Sequence, residues 1–277
     1  MAKNKLVAPF LKWVGGKRQL LNSINDHIPS KISTYYEPFI GAGAVLFHHQ
    51  PKKAVINDLN TELINVYKVI RDAPQELIED LKQHKNEADY FYAIRALDRS
   101  PDYSNLSEIQ RASRVIFLNK TCYNGLYRVN NAGEFNAPFG KYKNPNIVNE
   151  ATIKAVSNYL NTNDIKILNS DYADVLKNVR KGAFVYFDPP YHPVSKSANF
   201  TGYNQGGFDA RQQERLRNTC NRLHEKGVKF LLSNSDTPLI NELYKDYQIT
   251  LVKATRAINS NAKKRGAVNE VLIKNYE

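Results

Sequence analysis

Cysteine is scarce in this sequence, and its two cysteines, Cys122 and Cys220, lie far apart. They lack the paired spacing of a zinc site and the density of a disulfide-stabilised secreted protein, so we expect neither a metal nor a disulfide. Long apolar runs are also missing, since no stretch approaches the roughly 18 to 20 residues of a membrane helix. The opening MAKNKLVAPF lacks the long apolar core of a signal peptide. We therefore expect a cytoplasmic protein without membrane contact.

Acidic residues are outnumbered by basic ones, 27 to 39, which gives a formal net charge of +12. A surface of this charge attracts polyanions, and nucleic acid is the commonest of these in the cytosol. The 277 residues suffice for one large α/β domain with an inserted module, and are too few for three independent domains. Composition therefore indicates a folded protein and favours a nucleic-acid partner, although ribosome-associated proteins and other basic proteins share this charge.

The first sixty residues alternate between predicted strands and helices. KWVGGKRQLLNSINDHI predicts a glycine turn and a helix, STYYEPFIGAGAVLFHH predicts a strand, a turn and a helix, and KKAVIND predicts a strand that ends at Asp58. Three amphipathic helices follow, in TELINVYKVIRD, PQELIEDLKQH and SEIQRASRVIFLNKTCY, and we expect no strand before about residue 165. This helical insertion ends in residues 124–146, whose Gly, Asn and Pro content predicts a long ordered loop or hairpin.

The βα alternation resumes with ATIKAVSNYLN. Only a short basic loop separates the last two predicted strands, so we expect them to pair as an antiparallel hairpin. The predicted fold is α/β, with a mostly parallel sheet built from residues 1–60 and 149–277 and a mainly helical insert at 61–148. The predicted strands after the insert are 165–169, 183–187, 228–233, 249–255 and 268–275, and the predicted helices lie near 209–226 and 238–245.

Gly41 and Gly43 lie where a predicted strand turns into a helix. Small residues there let a ligand approach the backbone, and the helix amides favour carboxylate or phosphate oxygens. Leu46 occupies the position of the third glycine of the dinucleotide fingerprint, which disfavours a dehydrogenase. The segment around Lys17 lacks the glycine spacing and the Ser or Thr of a phosphate loop, which disfavours hydrolysis of nucleoside triphosphates. By itself, the glycine turn is equally consistent with a tight connection that binds nothing.

Asp58 ends the strand that follows the glycine turn. An acid at this position of a doubly wound sheet can accept hydrogen bonds from both hydroxyls of a ribose. Asp58 can also cap the helix that opens at Asn60 or Thr61, and this role does not exclude the first.

FVYFDPPYHP, residues 184–193, is a predicted strand that ends in a carboxylate and two prolines. The prolines restrict the backbone, so the carboxylate of Asp188 and the carbonyl of Pro189 can face one cleft at the end of the sheet. Two acceptors match the two hydrogens of an exocyclic amino group, and Tyr191 offers a flat face on which a base can stack. An Asp-Pro-Pro segment alone is usually only a turn, but here it accompanies a glycine turn and a candidate ribose acid.

KWVGGK at 12–17, EPFIGAGA at 37–44, YNGLYRVN at 123–130 and DPPY at 188–191 occur in this order. Over nearly the whole chain, the sequence resembles the Dam-type, α-group DNA adenine N6-methyltransferases. The resemblance implies a Rossmann-like methyltransferase sheet that uses S-adenosylmethionine, an inserted DNA-recognition domain, and base flipping in double-stranded DNA. It also implies a bacterial or phage origin. Three biological roles stay open: protection from a companion restriction endonuclease, which would be a genetic rather than physical partner, marking of strands for repair, and service to a phage.

The resemblance further implies a role for individual residues. Asp58 would hold the ribose and Asp171 the adenine of the cofactor, in a cofactor site made of Trp13, Lys17, Glu37, Phe39, Gly41, Asp58, Asp171 and Asp188. The catalytic residues would be Asp188, Pro189 and Tyr191. The residues that contact a GATC site in DNA would be Lys12, Tyr123, Asn124, Leu126, Arg128, Pro138 and Tyr142. For Arg128, a phosphate contact is as plausible as a guanine contact.

Other functions remain open at this point. A methyltransferase that acts on RNA adenine or on a protein glutamine needs a similar Asp/Asn-Pro-Pro-Tyr site, although the helical insert favours duplex DNA. A non-catalytic DNA-binding protein would explain the charge but not the cofactor residues. We interpret the basic segment NSNAKKRG as a solvated turn. We interpret His48 and His49 as structural, because no carboxylate or cysteine lies at the sequence spacing of a shared metal site.

Overall fold

The computed structural model describes residues 3–13, 15–193, 208–255 and 267–277; the segment NSNAKKRG lies outside them. Its strands are β1 Tyr35–Glu37, β2 Lys53–Asn57, β3 Asp164–Leu168, β4 Phe184–Phe187, β5 Lys229–Ser235, β6 Gln248–Thr255 and β7 Ala267–Lys274. Its α-helices are α1 Leu21–His27, α2 Ala44–His49, α3 Thr61–Asp72, α4 Pro74–Leu81, α5 Ala88–Ala96, α6 Glu108–Thr121, α7 Glu150–Thr162, α8 Tyr172–Val175, α9 Ala210–Glu225 and α10 Pro238–Leu243.

The strands form one mixed sheet in the order β3-β2-β1-β4-β5-β7-β6. Strands β1 to β5 are parallel, whereas β7 runs antiparallel to both β5 and β6. The predicted antiparallel hairpin is therefore confirmed. Of its two strands, β7 takes the inner place because Val271, Leu272 and Ile273 are all buried, while Leu251 on the edge strand β6 is 55% exposed.

The region between β2 and β3 is helical, as predicted. Helix α6 begins with a capping box, in which the side chains of Ser107 and Gln110 each bond the other residue's backbone N–H. Helix α5 was not predicted from the sequence. Phe91 is its one buried residue, so the helix has only a weak hydrophobic periodicity. Two short 3₁₀ segments, Leu97–Arg99 and Pro101–Asn105, follow α5.

Both faces of the sheet are covered. On β4, Phe184 and Tyr186 belong to one apolar cluster, and Val185 and Phe187 belong to another, because successive side chains of a strand point to opposite faces. The first cluster continues into the insert through Leu63, Ile64, Val66, Leu77, Ile78, Ile116 and Phe117. The helical insert thus shares a core with the sheet. In the described part of the chain, no helix has the length and apolar character that crossing a membrane requires.

The strand order reverses between β1 and β4. From β1 the chain moves outward to β2 and β3, and it returns to the other side of β1 with β4, where Tyr35 pairs with Phe184. Open α/β sheets bind ligands at the carboxyl ends of the strands beside such a reversal. Glu37 ends β1 and Asp188 follows β4, so both lie at the expected place for a ligand.

Candidate active site

The glycine turn after β1 packs tightly on its surroundings. Gly41 and Gly43 have φ values of +48° and +71°, in the left-handed region that favours glycine. A Cβ at Gly41 would lie 3.0 Å from Cδ1 of Trp13, and a Cβ at Gly43 would lie 2.7 Å from Oη of Tyr67. Trp13, which follows Lys12 in the chain, therefore lies directly on the turn, and its ring also stacks on Tyr127 at 4.8 Å.

Asp58 is bound to this turn. Its Oδ2 accepts a hydrogen bond from the backbone N–H of Gly41 at 3.1 Å, and its Oδ1 accepts one from Asn60 N–H at 3.0 Å. The prediction that Asp58 can also cap α3 is wrong, because Asn60 is the cap and its side chain accepts from Leu63 N–H. Burial raises the pKa of Asp58, and the backbone hydrogen bonds oppose that rise.

Two neighbours of Asp58 were missed by the sequence analysis. Buried Asn57 donates to the carbonyls of Pro38 and Ser170 and accepts from Ser170 N–H, which joins the loops after β1 and β3. Leu59 is exposed beside Asp58 and offers apolar surface at this edge of the sheet. The only signal for Asn57 in the sequence is a polar residue at the end of an apolar strand.

Asp171 lies at the start of α8 and caps it by accepting from Ala173 N–H at 2.9 Å. Arg215 binds both of its carboxylate oxygens, at 2.7 and 2.8 Å, and the guanidinium also lies 4.9 Å from the ring centre of Tyr172. The hydrogen bonds from Arg215 lower the pKa of Asp171. Nothing in the sequence pointed to Arg215, which stands far along the chain on α9.

Asp188, which follows β4, forms an ion pair with Lys17. Lys17 Nζ lies 2.8 Å from Asp188 Oδ1 and donates to the carbonyl of Gly15 at 2.6 Å. Ser233 Oγ donates to the same Oδ1 at 3.2 Å. Burial raises the pKa of Asp188, and the Lys17 ammonium opposes that rise. Lys17 was predicted to bind the cofactor alone, and its contact with the candidate catalytic acid was not predicted.

Tyr191 and Glu37 lie near this ion pair. Lys17 Nζ lies 4.6 Å from the centre of the Tyr191 ring. Glu37 is buried and accepts a hydrogen bond from the Tyr35 hydroxyl at 2.7 Å. Burial raises the pKa of Glu37 well above its ordinary value, the Tyr35 bond opposes this, and the nearby charge of Asp188 adds to it. The acidic side chains of Asp188 and Glu37 thus lie close enough to Lys17 to interact with its charge.

Phe39 has a different environment. Its ring is half-buried and lies 5.1 Å from Tyr172 and 5.9 Å from Phe208, among the apolar cluster on the α9 face of the sheet. It therefore connects the glycine turn to the segment that carries Asp171.

The loop after α6 is an ordered hairpin, as predicted. Isolated bridges pair Cys122 with Phe139 and Val129 with Phe135, and the N–H of Tyr123 donates to the carbonyl of Pro138 at 2.8 Å. At the start of this hairpin, Tyr123 is 58% exposed. The hairpin contains six of the predicted DNA-contacting residues, namely Tyr123, Asn124, Leu126, Arg128, Pro138 and Tyr142.

Lys12 reaches this hairpin through Asn119. The buried side chain of Asn119 accepts from Lys12 N–H at 2.9 Å and donates to the carbonyls of Lys12 and Gly125. Lys12 Nζ lies 5.8 Å from the ring centre of Tyr142. Asn119 was missed because a polar residue inside an amphipathic helix carries no signal of a contact with a distant segment.

Arg128 is held within the hairpin. Its Nε donates to Asn136 Oδ1 at 2.6 Å, and its Nη2 donates to the Asn136 carbonyl at 2.9 Å. These bonds use two of the five N–H donors of the guanidinium. Nearby, burial lowers the pKa of Lys120, and the charges of Lys12 and Arg18 lower it further. The basic side chains of Lys12, Arg18 and Lys120 are thus close enough to interact electrostatically.

Comparison with known proteins identifies the family. The model of the family described as D12 class N6 adenine-specific DNA methyltransferase matches residues 13–258. The Type II methyltransferase M1.LlaDCHI of Lactococcus lactis subsp. cremoris is 46% identical, over 100% of this chain and 98% of its own length. The Type II methyltransferase M.MjaIII of Methanocaldococcus jannaschii is 41% identical, over 98% of this chain and 99% of its own. The DNA adenine methylase of Escherichia coli (strain K12) is 35% identical, over 98% of this chain and 95% of its own length. The chain therefore belongs to the D12 class of N6 adenine-specific DNA methyltransferases, which use S-adenosylmethionine.

Proposed function

We propose that this enzyme methylates the N6 amino group of the adenine in double-stranded GATC, after that adenine has been flipped out of the duplex. The catalytic residues in this proposal are Asp188, Pro189 and Tyr191. The observation that carries it is the position of Asp188, which lies beside Tyr191 at the carboxyl end of β4, where the strand order reverses. Family membership disfavours the RNA, protein-glutamine and non-catalytic alternatives, because its members act on DNA adenine.

The residues around the glycine turn fit S-adenosylmethionine. Trp13 packs on Gly41 where a Cβ would stand, and the amide of Gly41 is fixed by Asp58, so an aromatic ring and an acid meet at the turn. In the proposed site Asp58 holds the ribose hydroxyls and Asp171 the adenine amino group. Lys17, Glu37, Phe39 and Gly41 lie toward the methionine part, where a cation and an acid match its carboxylate and ammonium. When bound, the cofactor supplies an electrophilic methyl group.

The acceptors at the DPPY turn explain how the protein accelerates transfer. The lone pair of adenine N6 is delocalised into the ring, and hydrogen bonds to Asp188 and to the Pro189 carbonyl draw the amino group toward tetrahedral geometry. Positive charge grows on N6 as it is methylated. A carboxylate stabilises that charge more than it stabilises the neutral amine, so the interaction lowers the barrier.

The Tyr191 ring offsets part of the cost of flipping. Extruding a base costs a few kcal/mol, and stacking on an aromatic ring returns about 1 to 3 kcal/mol. The ammonium of Lys17 pairs with Asp188 Oδ1 and lies over this ring, and Ser233 bonds the same oxygen. The bond from the amino group of a bound base therefore falls to the second oxygen of Asp188, Oδ2.

We propose that residues 61–148 form the target-recognition domain, and that 1–60 with 149–277 form the catalytic methyltransferase domain. The exposed ring of Tyr123 suits a wedge in the duplex where the adenine leaves. Arg128, oriented by Asn136, suits a bidentate contact with a guanine, worth about 1 to 3 kcal/mol of discrimination. Lys12, Asn124, Leu126, Pro138 and Tyr142 complete the proposed DNA-contacting set.

A methylation assay tests the sequence specificity. Labelled S-adenosylmethionine is mixed with the enzyme and a duplex that contains one GATC, or a matched duplex in which one base pair of that site is exchanged. We expect N6-methyladenine in the first duplex and at most a few per cent of that amount in the second. Equal incorporation into both would reject GATC specificity while leaving adenine methylation in place. Because two relatives are named Type II methyltransferases, we also propose a companion restriction endonuclease as a genetic partner.

A further inference from the structure

The two peptide groups that flank Tyr191 are held by a chain of buried amides. Gln213 Nε2, on α9, donates to the carbonyl of Pro190 at 3.0 Å. Asn234 Nδ2, on β5, donates to Gln213 Oε1 at 3.1 Å, and Asn234 Oδ1 accepts from His192 N–H at 3.1 Å. Both amide side chains are fully buried. The chain of hydrogen bonds thus closes on the residues before and after Tyr191.

The direction of this chain is determined by the backbone. A carbonyl only accepts and a backbone N–H only donates, so the contacts with Pro190 and His192 fix which end of each amide faces which partner. Ser235 N–H also donates to Asn234 Oδ1, at 2.9 Å, which supports the same orientation. A buried network in which donors and acceptors match is rigid.

The side chain of Tyr191 is held as well. Its hydroxyl donates to Glu270 Oε2 at 2.9 Å, and Glu270 is buried on β7, in register with Ser235 of β5. Tyr191 is therefore held at three points, its two peptide groups and its hydroxyl, by residues from α9, β5 and β7. None of these contacts ends on the carbonyl of Pro189, the acceptor that the proposed reaction needs.

We propose that Gln213, Asn234 and Glu270 are positioning residues that hold the ring of Tyr191 ready as a stacking platform for the target base. This proposal rests on the proposed function, in which the flipped adenine stacks on Tyr191. A ring that is already ordered loses no further conformational freedom when the base arrives, and it presents the amino group to Asp188 in one geometry. Loosening the platform therefore slows transfer without removing any group that touches the base or the cofactor.

Substitutions by side chains of similar size test the hydrogen bonds of Gln213 and Glu270 one residue at a time. Gln213→Met keeps an unbranched side chain of similar length and removes both of its hydrogen bonds. Glu270→Gln removes the charge of Glu270 but keeps an acceptor for the Tyr191 hydroxyl, whereas Glu270→Met removes both. Asn65→Leu is the control for a purely structural loss, because buried Asn65 donates to the carbonyl of Glu108 at 2.8 Å, between α3 and α6. Gln212→Met, one residue from Gln213, is the second control.

The measurements are the single-turnover rate of methyl transfer, the Kd for the cofactor, the unfolding temperature, and the fluorescence of 2-aminopurine in place of the target adenine. Gln213→Met and Glu270→Met are expected to slow transfer about ten- to hundredfold, while the cofactor Kd stays within about twofold. They should also raise 2-aminopurine fluorescence in the complex, because the flipped base stacks less well. Glu270→Gln should retain nearly the wild-type rate. Asn65→Leu should lower only the unfolding temperature, and Gln212→Met should change nothing.

The inference is overturned if Gln213→Met behaves like Asn65→Leu, or if Glu270→Gln and Glu270→Met are equally slow. If Gln213→Met fails to fold, a double-mutant cycle with Tyr191→Phe and Glu270→Met tests the inference instead. The single variants and the double variant should be equally slow, because all three lose the same hydrogen bond. Additive losses would overturn the inference. Failure of the wild-type enzyme to methylate adenine would instead reject the proposed function.

Discussion

Lys17 Nζ lies 2.8 Å from Asp188 Oδ1 and 4.6 Å from the centre of the Tyr191 ring. One cation thus contacts both groups that we propose to hold the target base. The pair is largely removed from solvent, with 5% of the Lys17 side chain and 22% of the Asp188 side chain exposed. Loss of one partner leaves a buried charge without its counterion, so variants at these positions need a stability measurement beside the kinetic one.

The first prediction concerns the charge of Asp188. Asp188→Asn keeps the shape of the side chain and removes the negative charge that stabilises the developing cation on N6. The rate of transfer should fall about 10²- to 10³-fold, with DNA affinity retained. Single-turnover methylation and fluorescence anisotropy with labelled duplex measure the two quantities. Asp174→Asn, in an exposed ion pair with Lys177, is the matched control and should transfer at the wild-type rate. A rate within about threefold of wild type for Asp188→Asn would contradict the catalytic role.

The second prediction concerns pH. The reaction needs the carboxylate of Asp188, so the rate should fall as the pH drops and this group is protonated. Because burial raises the pKa of Asp188, the fall should occur at a pH above the usual aspartate pKa of about 3.9. Lys17→Met removes the charge that opposes this rise, so the pKa should rise further and the acid limb should move to higher pH. The rate is measured against pH at saturating cofactor. An acid limb that stays in place, or that moves to lower pH, would show that Lys17 does not set the ionisation of Asp188.

The third prediction concerns the glycine turn. Gly41→Ala places a Cβ 3.0 Å from the Trp13 ring at a φ of +48°, so it should cost about 1 to 2 kcal/mol of stability and displace Trp13. The Kd for S-adenosylmethionine should rise about fivefold or more. Gly227→Ala is the control, because its φ is +67° and its Cβ would meet no atom nearer than 3.5 Å. That variant should lose a similar amount of stability with an unchanged Kd. Equal effects on Kd would contradict a role for Trp13 and the turn in cofactor binding.

The fourth prediction concerns base reading. Arg128→Met should reduce discrimination at one base pair of the site by about 1 to 3 kcal/mol, and Asn136→Ala should reduce it at the same base pair by a smaller amount. Asn136→Ala removes the bond from Arg128 Nε to Oδ1 but keeps the one from Nη2 to the Asn136 carbonyl, so the guanidinium is only partly loosened. The measurement compares methylation rates on GATC with those on duplexes that carry each single exchange. A uniform decrease on every duplex would instead indicate a phosphate contact.

Much of the architecture could be read from local patterns. The alternation of strands and helices, the helical insert and the terminal hairpin were predicted close to their observed bounds, because hydrophobic period and turn residues act over a few positions. Helix α5 was missed because it buries little of its surface. The order of the hairpin strands was not predictable either, since it depends on which strand has both faces covered.

The sequence by itself determined the chemistry of this protein: a glycine turn, an acid after the next strand and a carboxylate stiffened by two prolines all follow short stretches of chain. Parallel strands present their carboxyl ends at one edge, so these groups had to meet. Only the tertiary structure decided that Lys17 pairs with Asp188, that Arg215 binds Asp171, and that Gln213, Asn234 and Glu270 surround Tyr191. Such contacts depend on how helices and strands far apart in the chain pack against each other, and a single sequence carries no local pattern for them.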